Sequence, residues 1–184
     1  MIAMNTEIPL SEKNIILIGF MGAGKTTIGQ LLANKLDRPF LDADQEIEQK
    51  YGMPVTEIFK CMGEPAFRQI EKDYLTKLCH NSRSKVVSLG GGSFMQDEIR
   101  QACLSSGIVY HLDLQWEEWL KRFEALIGTR PLLQSKSLEE IEELFNSRKI
   151  VYADNHYTIA VDAQNPEQIA EAMAQQIRVS WQQE

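Results

Sequence analysis

The stretch "NIILIGFMGAGKTTIGQLLANKLDRPFLDAD", residues 14–44, decides the fold. Asn14 to Ile18 is short and apolar, the composition of a strand buried on both faces. A glycine-dense turn follows, and Gly19 to Thr26 satisfies GxxxxGK[ST] in full. Ile28, Leu31, Leu32 and Leu36 then share one face of a helix over 25–36. Strand, glycine turn and helix form the context in which this motif holds phosphate. The glycines let the backbone curl so that its N–H groups point inward, and the helix start adds its positive dipole end. Gly22, Ala23, Gly24, Lys25, Thr26 and Thr27 therefore form a cradle for a nucleoside triphosphate. Lys25 brings a mobile charge to the β- and γ-phosphates, and the Thr26 hydroxyl is placed to coordinate Mg²⁺. A purely structural glycine turn is the plain alternative, and the flanking strand and helix weigh against it.

Outward from this unit, strands and helices alternate. "RPFLDAD" is a second short strand, and "QEIEQKYG" and "TEIFKCM" are short helices. "GEPAFRQIEKDYLTKL" opens a longer helix with Pro65 suited to its first turn. "SKVVSLGGG" is a third strand and "GIVYHLDL" a fourth, followed by the helix "QWEEWLKRFEAL". "IGTRPLLQSK" is a loop, since the Arg130–Pro131 step disfavours helix. "SLEEIEELFNSRKIVYAD" is helical with Ser137 as its cap, "YTIAVDA" a fifth strand and "PEQIAEAMAQQIRVSW" a closing helix. Such alternation predicts an α/β fold whose mostly parallel sheet is covered by helices on both faces. No repeat, low-complexity tract or linker interrupts it.

The 184 residues suit one domain. A formal net charge of −7 argues against wrapping a nucleic acid, so any anionic ligand must be held by local positive groups. Cys61, Cys79 and Cys103 lie in helical-looking segments without metal-ligand spacing, which predicts reduced thiols and a cytoplasmic location. The opening "MIAMNTEIPLSEK" lacks the features of an export signal, and no apolar run is long enough to span a membrane. A monomer is expected.

The remaining motifs must choose among triphosphate-binding proteins. A guanine-specific switch would carry DxxG, which is absent, and "NKLD" at 34–37 falls on the helix after the glycine turn. A motor ATPase would end an apolar strand in an acid; Asp113 comes nearest and reads better as a helix cap. Asp42 and Asp44, two apart at a strand end, would point the same way if the strand continued, toward the sheet edge where ligands bind. Helix capping by Asp42 with Gln45 is the bland alternative. A kinase needs one carboxylate for its metal shell and another group to orient the attacking hydroxyl. Gly90, Gly91 and Gly92 strip the end of the third strand of side chains, so a ligand can approach the backbone, or they form a simple turn. Arg68, with Glu71 at i+3, could be a surface ion pair of little worth, and Arg122, Arg130 and Arg148 could be solvated. In an acidic protein holding two anions, bidentate arginines are the natural clamps. His80, His111 and His156 match no metal or triad spacing and read as structural or exposed, and Trp116 and Trp119 share a helix with apolar neighbours as core or interface residues.

"GFMGAGKTTIG", "LDAD", "IFKCMGEPAFRQIE", "VVSLGGG" and "RPLL", in this order, resemble the shikimate kinases from about Asn14 to Met173. The resemblance implies a three-layer sandwich with a five-stranded parallel sheet, the P-loop nucleoside monophosphate kinase fold. It also implies a helical substrate-binding segment at about 43–72 and a mobile lid at about 124–136. It implies ATP-dependent phosphorylation of the shikimate 3-hydroxyl on the chorismate pathway, with Mg²⁺. By the same resemblance, Asp42 would hold the metal through water, and Asp44 would bind the shikimate hydroxyls as base or orienting group. Arg68 and Arg148 would grip the shikimate carboxylate with Gly90, Gly91 and Gly92 alongside. Phe59 and Phe67 would wall the ring, Arg130 would reach the transferring phosphoryl group, and Arg122 would lie near the nucleotide. "VDAQNP" at 161–166 resembles the adenine segment. A gluconate or nucleoside monophosphate kinase, and a catalytically idle nucleotide-binding module, are the competing functions.

Overall fold

The computed structural model describes residues 8–127, 136–162 and 165–183. Five strands, β1 (Asn14–Ile18), β2 (Phe40–Asp42), β3 (Val86–Ser88), β4 (Gly107–Asp113) and β5 (Tyr157–Ala160), form one sheet in the order β2-β3-β1-β4-β5. Every pairing is parallel, with Ile15 level with Val86 on one side and Ile108 on the other. β1 lies at the centre and all five of its residues are buried, as a strand covered on both faces requires. The parallel arrangement puts the carboxyl ends of β1, β2 and β3 at one edge, where they deliver Gly19, Asp42 and Gly90 together.

Helices α1 (Lys25–Leu36), α2 (Ala43–Tyr51), α3 (Val55–Met62), α4 (Glu64–Asn81), α5 (Asp97–Ser106), α6 (Trp116–Ile127), α7 (Leu138–Tyr152) and α8 (Pro166–Gln182) connect and cover the strands. Their ends follow local chemistry. Pro65 occupies the first turn of α4, and Asn165 caps α8 just before Pro166. Ser137 closes a reciprocal capping box on α7: its hydroxyl accepts from Glu140 N at 3.2 Å, and Glu140 accepts from Ser137 N at 2.7 Å. No described helix is long and apolar enough to cross a membrane.

A second small core, built on fully buried Ile47, Ile58 and Phe67, joins α2, α3 and α4. Three such side chains contribute roughly 5–9 kcal/mol at ~1.5–3 kcal/mol each.

Three expectations need correction. α5 and the short 3₁₀ turn Ser93–Met95 were not among the elements expected from the sequence; α5 buries Ile99, Ala102, Cys103 and Ser106 at helical spacing, but only one of these is strongly hydrophobic. β2 stops at Asp42, so Asp42 and Asp44 do not share a strand face; Asp44 lies in the first turn of α2. Asp113 pairs with Lys149 at 3.0 Å and accepts from the Gln115 side chain, and it is Asp162 that takes Gln115 N, at 2.8 Å, before α6. Most of the expected lid, with Arg130, and residues 163 and 164 of the adenine segment lie outside the described residues.

Candidate active site

The glycine turn runs from β1 into α1. Gly22 and Gly24 hold φ of 82° and 92°, a region closed to most side chains, and Gly24 begins α1 without any side-chain cap. The first-turn N–H groups of a helix have no intrahelical acceptor, so this end is built for an anion. The loop carbonyls are turned the other way. Gly19 O and Phe20 O accept from Lys25 Nζ at 2.7 and 3.1 Å, Met21 O from Trp119 Nε1 at 2.9 Å, and Gly22 O from Arg122 Nη1 at 2.8 Å. In a trans peptide N–H and C=O oppose each other, so tying these carbonyls down turns the N–H groups of Phe20, Met21 and Gly22 the other way, while the Ala23 N–H donates back to Phe20 O at 3.1 Å. Arg122 also donates to Val161 O and Asp162 O at 3.4 and 3.3 Å, joining the loop to the chain beyond β5.

Beside the turn, the Thr26 hydroxyl donates to Asp42 Oδ2 at 2.8 Å. Asp42 Oδ1 accepts from Asp44 N at 3.1 Å and Gln45 N at 3.3 Å, so the capping expected as an alternative does occur, on the oxygen that Thr26 leaves.

Each glycine of the triplet faces one charged side chain. A methyl group on Gly90 would meet Asp44 Oδ1 at 2.7 Å, one on Gly91 would meet Arg148 Nη1 at 3.4 Å, and one on Gly92 would meet Arg68 Nη2 at 2.9 Å. The absent side chains let a carboxylate and two guanidinium groups close on one backbone turn. α2 brings Asp44, α4 brings Arg68 and α7 brings Arg148. Phe59 and Phe67 stand beside Arg68, their centroids 5.8 and 5.5 Å from its Cζ and 4.6 Å from each other. Phe67 is buried in the small core, so Phe59 is the more open of the pair.

The two arginines differ in their partners. Arg68 Nη1 donates to Glu71 Oε2 at 2.8 Å, and Glu71, 1% exposed, also accepts from Ser93 Oγ at 2.5 Å and Gln96 Nε2 at 2.9 Å. The expected surface pair is thus half interior, and removing one partner of a buried pair costs ~3–5 kcal/mol. Burial works against the Arg68 charge, yet Glu71 and Glu64 together more than offset it and the pKa rises above its ordinary value. Arg148 is 7% exposed and rests over the Phe20 ring at 5.6 Å. Among the described residues its guanidinium has no hydrogen-bond acceptor and no carboxylate partner. Burial, with the Arg68 charge acting in the same sense, lowers its pKa. Two cations held together, one of them without an ion pair among the described residues, make a site for an anionic group.

A family profile described as shikimate kinase matches residues 21–178. The chain belongs to the shikimate kinase family. It is 50% identical to the shikimate kinase of Bacillus subtilis (strain 168), over 95% of this chain and 94% of that one. It is 49% identical to that of Geobacillus kaustophilus (strain HTA426), over 96% and 94%. Among solved structures, the Acinetobacter baumannii shikimate kinase in complex with shikimate superposes with a TM-score of 0.83 at 37% identity, covering 91% of this chain and 93% of that one. Five parallel strands between helical layers are the expected shikimate kinase architecture. The activity of the chain is the phosphorylation of shikimate by ATP to shikimate 3-phosphate and ADP. Around this shikimate kinase site the structure gathers Lys25, Thr26, Asp42, Asp44, Arg68, Arg148 and the glycine triplet, with Arg122 at the back of the turn. Sequence reasoning missed Glu71 as a buried anchor, Trp119 and Tyr152 as holders of loop carbonyls, and Ser93 and Gln96 as partners of Glu71.

Proposed function

We propose that the site residues divide the reaction as follows. The turn from Gly22 to Thr27 and the Lys25 ammonium hold the β- and γ-phosphates, Arg122 borders the nucleotide, and Arg130 of the lid meets the transferring phosphoryl group. Asp44 receives the shikimate 3-hydroxyl and orients it or takes its proton. Arg68, Arg148 and the N–H groups of the triplet grip the shikimate carboxylate, and Phe59 and Phe67 bound the ring. Thr26 and Asp42 are hard oxygen donors 2.8 Å apart, and they fit Mg²⁺, which takes one or two protein oxygens, several waters and substrate phosphates. Bound there, directly at Thr26 and through water at Asp42, the ion would neutralise charge on the phosphate oxygens. The chain works as a cytoplasmic monomer of one kinase domain.

The observation that carries this reading is the Arg148 guanidinium, which makes no hydrogen bond or ion pair among the described residues although the residue is largely buried, and which lies over Gly91 while Arg68 lies over Gly92. A planar carboxylate satisfies both guanidinium forks at once. A coupled ADP-release assay should compare shikimate, its carboxylate methyl ester, gluconate and nucleoside monophosphates. Turnover should be confined to shikimate, with kcat/KM for the ester lower by roughly 10² or more, the scale of leaving a buried charge unpaired. Equal turnover of acid and ester would remove the carboxylate assignment.

A further inference from the structure

Tyr152 lies on α7 one turn beyond Arg148, so both side chains leave the same face of that helix. It is 2% exposed, and its ring packs between Phe94 and His111, at 6.5 and 5.2 Å between centroids. Its hydroxyl donates to Gly91 O at 2.5 Å. Burial pushes the phenol up to about 12, so it remains a donor throughout the working range. None of the reaction roles proposed above uses it.

The bond acts where the chain has least control of its own geometry. A peptide plane between two glycines turns at little steric expense, and no side chain of the triplet can hold it. The described peptides are all trans, so the Gly92 N–H points opposite to Gly91 O. With Gly91 O drawn to Tyr152, the Gly92 N–H faces away from that residue, while Arg148 covers Gly91 and Arg68 covers Gly92. Among the described residues the N–H groups of Gly91 and Gly92 donate no hydrogen bond within the chain.

We infer that Tyr152 is a positioning residue for the shikimate carboxylate: through Gly91 O it fixes the Gly91–Gly92 peptide plane so that the Gly92 N–H stands as a ready donor between the two arginines. The inference rests on the carboxylate assignment above. α7 then contributes to the anion site twice, with a cation from Arg148 and with an oriented backbone dipole through Tyr152.

Tyr152→Phe removes one hydroxyl and keeps the ring in its packing. The KM for shikimate should rise roughly 3- to 10-fold, the scale of one neutral hydrogen bond, with the KM for ATP changed less than about 2-fold. A purely structural hydroxyl would instead lower the melting temperature and affect both substrates alike, and that result overturns the proposal. Arg148→Lys, measured in parallel, separates the two levels. A raised shikimate KM in Arg148→Lys with none in Tyr152→Phe removes only the positioning role, whereas no change in Arg148→Lys removes the carboxylate assignment beneath it. Titration of shikimate into wild-type enzyme labelled with ¹⁵N-glycine gives a reading independent of any variant. The Gly92 amide proton should move downfield on binding, and an unmoved resonance would overturn the proposal.

Discussion

Thr26 and Asp42 meet hydroxyl to carboxylate at 2.8 Å, and the second oxygen of the same carboxylate starts the helix that carries Asp44. One aspartate therefore ties the start of α1 to the helix that carries Asp44.

Asp42→Asn keeps the cap and removes the charge, so activity should need roughly tenfold more Mg²⁺ and be partly restored by adding it, with the melting temperature nearly unchanged. Asp42→Ala loses the cap as well and should be less stable by about 1 kcal/mol in urea unfolding. Equal stability of the two variants would show that the Asp42 cap contributes nothing.

Asp44→Asn should lower kcat by roughly 10² to 10⁴ at constant nucleotide affinity, the range of general acid–base catalysis. Raised Mg²⁺ should not rescue it. Since the phosphoryl-transfer transition state is loose, a fall near the lower bound would indicate orientation of the hydroxyl more than proton removal. If the Asp42→Asn and Asp44→Asn variants titrate alike with magnesium, the division between the two carboxylates is wrong.

Arg68→Lys retains the charge and removes the planar fork. The KM for shikimate should rise by roughly tenfold, about 1.4 kcal/mol, with the KM for ATP little changed. The buried Glu71 still has Ser93, Gln96 and a cation to meet, so the fold should hold. Equal losses for both substrates would assign Arg68 to structure alone.

Acid should destabilise the fold through two histidines. Burial is the main cause that pulls His111 from 6.5 down to about 4, and it also lowers His156, whose Nδ1 accepts from Val109 N at 3.0 Å. Folded values below the unfolded one mean that the unfolded chain binds more protons in between. The stability is therefore fully present above pH 6.5 and lost as pH falls toward 4. Urea midpoints of wild type and His111→Gln at pH 7.5 and 5 should show the smaller drop in the variant. Parallel slopes would take His111 out of the account.

The readable parts of this protein are those in which cause and effect lie close in the chain. Gly19 to Thr26 announce their geometry within eight residues, and Ser137 with Glu140 spells its capping box in four. What escaped was set from a distance. Glu71 looks like a surface partner of Arg68 until Ser93 and Gln96, 22 and 25 residues later, enclose it. Trp119 reaches Met21 across 98 residues and Tyr152 reaches Gly91 across 61, and no local pattern marks either contact. Asp44 comes to lie by Gly90 for a reason the sequence hides, because alternation along a strand cannot reveal that Asp42 ends the strand by capping a helix.

The central place of β1 has a consequence for synthesis. Its first hydrogen-bonded neighbour, β3, arrives 70 residues after Ile18, and β4 later still. At ~5–20 residues per second the ribosome leaves "NIILI" without a partner strand for roughly 4–14 s. During that interval the most buried strand of the finished enzyme is an apolar segment in search of an edge, and α1, which follows it at once, is the first long element able to cover it.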